Sequence, residues 1–194
     1  LGTLWNTYSF YVLYAEIDQY DPTKYNLKNC KLSLMDRWLI SELNSLIKFV
    51  DKSLNEYNII DSARKIQRFT DNLSNWYIRR TRERFWGSDM SDDKIAAYTT
   101  LYHTLYTLIK LIAPYVPFIS ETIYQNIVRK VDKSAPISVH LCDYPASDQK
   151  LIDKELDDGM QTVIDAAVLG RALRNSVNIK NRQPLGKMYI ALAN

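Results

Sequence analysis

The sequence predicts an all-α antiparallel helix bundle, with a short extended segment near 137–142 and a strand that begins near the end of the chain. Three observations carry that prediction. Apolar residues return every three or four positions through most of the 194 residues. The connections between these stretches are short and marked by proline, glycine or a capping serine. Only residues 137–141 and 188–192 read as extended segments.

The first helix is predicted over 3–19, where Leu4, Tyr8, Tyr11 or Val12, and Ala15 recur at helical spacing, and Asp21-Pro22 stops it. A polar connection leads to Ser33, an N-cap whose partner three residues on is Asp36, in the manner of an acidic capping box. Leu39, Leu43, Leu46 or Ile47, Val50 and Leu54 then form one stripe of a second helix ending near 57. A third helix over 59–86 would be ~40 Å long at 1.5 Å per residue. The turn at 87–91 ends in Ser91, which caps a fourth helix running to Ala113. Pro114 and Pro117 force a restart, and a shorter helix continues to about Lys130. After the extended segment, Ser147 is a candidate cap for a last long helix to 179, closed by the loop 180–186. The expected organisation is a helical domain over 1–179 and, over 180–194, the start of a junction to a further domain of a longer chain.

Composition narrows the function classes. The net charge is only +3, so its distribution matters more than its sum. Residues 59–86 hold seven Arg or Lys against Asp61, Asp71 and Glu83, and 169–187 hold five with no acid. Two cysteines are too few for a disulfide framework, which fits a reducing compartment and a cytoplasmic location. No targeting segment is visible. The most apolar run, 101–119, contains His103, Lys110, Pro114 and Pro117, so no membrane role is expected. His140 and Cys142 have only His103 and Cys30 to complete a ligand set, and no metal is expected. The acids at 153–158 read as a solvated face and the tyrosines of 98–106 as core. No catalytic constellation and no phosphate-cradling glycine loop is present.

On a wheel of 100° per residue, Ile59, Ala63, Ile66, Thr70, Leu73 and Tyr77 share one face of the third helix. The opposite face collects Arg64, Arg68, Asp71, Asn75, Arg79, Arg82 and Trp86. Two further turns of the apolar face bring Arg80 and Arg84, so apolar contacts are expected to end near Tyr77. Guanidinium groups neutralise phosphate and an indole stacks on a nucleobase, so this helix end suits an anionic polymer with flat bases. The alternative is a solvated helix end whose arginines complement the helix dipole, with Trp86 packed under the turn at Gly87. The candidate residues for binding such a polymer are Arg64, Arg68, Asn75, Arg79, Arg80, Arg82, Arg84 and Trp86. Arg171, Arg174, Lys180 and Arg182 form a second basic site, which binds RNA or docks a following domain.

Longer motifs carry a family resemblance. Leu4-Trp5-Asn6-Thr7-Tyr8, the run from Asp36 to Asn44, the run from Asp71 to Arg80, and the proline-punctuated run from Ala113 to Glu121 resemble class I aminoacyl-tRNA synthetases, in this order. They are similar to the helical anticodon-binding domain of the branched-aliphatic subgroup. The arginine-rich end of the third helix, Ser138 to Pro145, and Asn178 to Leu185 resemble the isoleucyl type, in the branch shared by eukaryotic cytosolic enzymes and some bacterial ones. Valyl enzymes tend to place an acid where this chain has Arg79.

The resemblance implies a parent that uses ATP and magnesium to join isoleucine to its tRNA and edits misacylated valine. It places the nucleotide-binding signatures upstream of this segment. The segment itself is expected to be non-catalytic and without cofactor, a monomer that holds the isoleucine anticodon stem–loop beside the catalytic and C-terminal domains of the same chain. The alternatives are the same domain of a valyl or leucyl enzyme, or a helical protein-interaction scaffold with a basic docking end.

Overall fold

The computed structural model describes residues 1–191. The chain forms two compact units, Leu1–Ile152 and Asp153–Asn194. Among the described residues the regular elements are all helical, so the bundle class holds.

In the first unit, α1 (Gly2–Ile17), α2 (Leu34–Asn55) and α3 (Ile59–Asn72) follow the periodicity of the sequence. The Ser33 hydroxyl accepts from the Asp36 N–H at 3.2 Å, and the Asp36 carboxylate accepts from the Ser33 N–H at 2.9 Å, completing the capping box. α3 does not end at Asn72. It opens into a π-helical stretch, Leu73–Ile78, closes again into the single turn α4 (Arg79–Thr81), and tightens into a 3₁₀ turn, Arg82–Phe85. Ser91 caps α5 (Asp92–Ile112) by accepting from the Lys94 N–H. Pro117 stands at the first position of α6 (Pro117–Tyr124), where its missing N–H costs no hydrogen bond.

α5 is the axis of this unit: 14 of its 21 residues are buried, and α1, α2 and α6 pack on it. α2 and α3, joined by three residues, run back along one another. A chain of aromatic rings fills the space beside α5, with Tyr20 stacked on Tyr98 at 4.7 Å and Phe85 edge-on to Tyr98 at 4.8 Å.

Two sequence expectations are corrected. The segment 137–141 is not a strand. Val139–Leu141 form a 3₁₀ turn between extended Ser138 and Cys142, because the Ser138 side chain accepts from the His140 N–H and caps the turn. Ser147 does not cap a helix either, since its hydroxyl donates to the Asn44 carbonyl at 2.9 Å.

In the second unit, Asp153 caps α7 (Lys154–Ser176) by accepting from the Leu156 N–H. Residues 188–191 form no strand, and Leu192 lies outside the described residues. Within this unit, α7 and 185–191 line an apolar groove of about 500 Å³.

Candidate nucleic-acid interface

The π-helical stretch decides which side chains of the third helix face out. Phe69, Leu73, Tyr77, Thr81 and Phe85 are all buried, at strict four-residue intervals. In a straight α-helix each step of four advances about 40° beyond a full turn, so this column would wind round to solvent. The wider π turns take up the excess and hold it against the core. Apolar contacts therefore run on to Phe85, 1% exposed, and do not end near Tyr77.

Of the sequence-predicted residues, Arg64, Arg68, Asn75, Arg79, Arg80, Arg82 and Trp86 are exposed along this rod. Arg64 reaches Asp61 at 3.6 Å, a solvent pair of little energetic weight. The Arg80 guanidinium lies 5.6 Å from the centre of the Trp76 ring, and that of Arg82 lies 5.2 Å from the centre of the Trp86 ring. The Trp86 indole N–H donates to the Tyr14 hydroxyl at 3.0 Å. Tyr14, from α1, is the site neighbour that sequence reasoning missed. Nothing in the spacing of α1 relates Tyr14 to a residue 72 positions away.

Arg84 is different: it turns inward. Its side chain is 13% exposed and makes two parallel bonds to Asp36, at 2.8 and 2.9 Å. It also bonds the Asp93 carboxylate at 2.9 Å and the Asp93 carbonyl at 2.9 Å. Asp36, fully buried, accepts in addition from the Tyr77 hydroxyl at 2.6 Å. Burial works to raise the Asp36 pKa, but the bonds from Arg84, Tyr77 and Ser33 outweigh it and hold the carboxyl below its usual range. Burial of Tyr77, aided by Asp36, keeps that phenol protonated. One arginine of the cluster is thus an internal tie between the helix end and the start of α2. A second tie follows it: buried Lys94 pairs with Asp18 at 2.6 Å and donates to the Gly87 carbonyl, and Tyr98 donates to the same carboxylate.

The second basic site lies in the second unit. Arg171, Lys180 and Arg182 are exposed. Arg174 spends its donors within the unit, on the carbonyls of Lys180 at 3.0 Å and Gln183 at 2.8 Å, and so closes the loop after α7.

The geometry is thus a basic, aromatic-edged helical rod backed by a dense core. The family model described as the anticodon-binding domain of tRNA ligase matches residues 36–189. The chain belongs to this family. This anticodon-binding domain is similar to isoleucine–tRNA ligases of Clostridium novyi strain NT, at 51% identity over 98% of the chain, and of Clostridium tetani strain Massachusetts / E88, at 51% over 99%. It is also 46% identical to the isoleucine–tRNA ligase of Dehalococcoides mccartyi strain CBDB1 over 98% of the chain. The chain spans about 18% of the length of the two clostridial relatives.

Among the described residues of the domain, no cluster of three or more His, Cys, Asp or Glu is arranged to hold a metal ion. No helix among them is long and apolar enough to cross a membrane. Cys30 and Cys142 are free thiols, and Cys142 Sγ donates to the Tyr124 hydroxyl at 3.4 Å.

Proposed function

We propose that this domain binds the anticodon stem–loop of isoleucine tRNA and serves a longer isoleucine–tRNA ligase whose catalytic groups lie in other domains. The observation that carries the reading is the family match over residues 36–189, supported by identities near 50% to isoleucine–tRNA ligases. The exposed faces of Arg64, Arg68, Arg79 and Arg82 grip stem and loop phosphates, which fixes the register of the RNA. Asn75 and Arg80 extend the same surface, and Trp86 offers a ring to an unstacked base. Arg84 supports these groups from behind. In the longer enzyme, ATP and magnesium serve isoleucine activation elsewhere, and the protein works as a cytoplasmic monomer. Linked contacts along one tRNA add, so the domain alone needs only modest affinity.

A salt-titrated binding assay tests this, using the isoleucine anticodon stem–loop and a copy with an altered loop. Preference for the cognate loop, with affinity falling steeply with salt, is the expected result. No binding to either RNA at low salt would overturn the reading.

A further inference from the structure

We propose that Tyr14 is a positioning residue that holds the Trp86 indole as a one-sided stacking ledge for a single unpaired nucleobase. The inference rests on the RNA-binding reading above. Trp86 exposes 53% of its surface although its backbone is firmly anchored. On one side Phe85 is sunk edge-on against Phe10 at 5.2 Å and Tyr98 at 4.8 Å. Just before it, Arg84 is clamped to Asp36 and Asp93. The core therefore accounts for Phe85, while the large ring beside it stands in water among arginines.

Three contacts define what that ring can do. Arg82 covers one face, with its guanidinium carbon 5.2 Å from the ring centre. The indole N–H is held by the Tyr14 hydroxyl at 3.0 Å, which fixes the rotation of the ring about its side-chain bonds. Tyr14 is itself wedged by Phe10 at 4.8 Å and Phe85 at 6.4 Å, so its hydroxyl is a fixed point. With Arg82 over one face and the edge tied, the surface that Trp86 still exposes is offered to a base on the other face. A ring held this way loses little rotamer freedom on binding. Arg82, its guanidinium over the ring, keeps N–H groups to take a phosphate of the same nucleotide. Stacking accepts any base, so this ledge adds affinity without discriminating between loops.

The test is stem–loop binding followed by tryptophan fluorescence, at two salt concentrations, for the unaltered chain, Tyr14→Phe, Trp86→Ala and the double variant. Circular dichroism checks that each folds. Trp86→Ala is expected to bind about tenfold more weakly to every loop sequence and to lose the largest part of the RNA-induced quenching. Tyr14→Phe, which removes only the hydroxyl, is expected to weaken binding about threefold. On the Trp86→Ala background it should have no further effect, and neither change should alter the salt slope. Equal effects of Tyr14→Phe with and without Trp86, or full quenching and affinity in Trp86→Ala, would overturn the ledge. If Arg79→Ala/Arg82→Ala still flattens the salt slope in that case, the RNA-binding reading stands without it. If no arginine variant changes binding, that reading fails as well.

Discussion

Two basic surfaces lie on this chain, and they are built in opposite ways. The one that ends at Trp86 rests on an axis helix with 14 buried residues of 21, and one of its arginines is used internally as a bidentate tie to a fully buried carboxylate. The one around Arg171 rests on α7, where only Ile164 of 23 residues is buried and Val168, Leu169 and Leu173 stand exposed. Its inward arginine, Arg174, holds two loop carbonyls and no buried charge. Clusters that look alike in composition therefore differ in what stands behind them. A rigid backing presets the spacing of the guanidinium groups that face out, whereas a loop-closing arginine sets only the shape of its own loop.

The largest expected effect comes from cutting the tie. Asp36→Ala leaves Arg84 partly buried without its main partner and should destabilise the first unit by about 3–5 kcal/mol. Denaturant unfolding followed by the fluorescence of buried Trp38 would measure it. Arg174→Ala, by contrast, should cost less than about 1 kcal/mol and leave that transition unmoved. Faster amide exchange at residues 180–183 is its expected signature. A large global loss from Arg174→Ala would break the comparison.

Acid titration sharpens the same contrast. Because the Asp36 pKa is depressed in the folded state, its contribution is present above the unfolded carboxyl value of about 3.9 and is lost as pH falls through the folded value. Asp36→Asn should flatten the acid limb of stability below about pH 4. An unchanged limb would show that other carboxylates govern it.

The smallest effects lie at the helix ends. Tyr57 and Asn178 both follow helices with left-handed backbone, at φ 57° and φ 56°. Tyrosine pays for its Cβ there, while asparagine tolerates the conformation. Tyr57→Gly is expected to raise the stability of the first unit by roughly 0.5–1 kcal/mol. Asn178→Gly should be near neutral in the second. Thermal unfolding and local amide exchange would separate the two.

Much of the fold was legible because local chemistry wrote it. The capping box of Ser33 and Asp36, the Ser91 cap and the proline restart at 117 all stand where the residues put them. The end of the third helix was legible only in outline. A wheel at 100° per residue cannot register a π-helical stretch, so it handed the inner column to Arg80 and Arg84 when Thr81 and Phe85 occupy it. Arg84 reads as one more basic residue because its partner Asp36 lies 48 positions away, already accounted for by its cap. Tyr14 was hidden for the same reason. Contacts between distant elements leave no mark in local spacing. The alternation at 137–141 misled in another way, because a side-chain cap at Ser138 won over a strand that had no neighbour to pair with.

The most direct measurement of the central claim is the salt dependence of stem–loop affinity for two paired variants, Arg79→Ala/Arg82→Ala and Lys180→Ala/Arg182→Ala. If the rigidly backed helix end is the phosphate grip, the first pair lowers the slope of log affinity against log salt by about 1–2, and the second leaves it unchanged. A slope lowered by the second pair and untouched by the first would contradict the account, placing the RNA on the other basic surface.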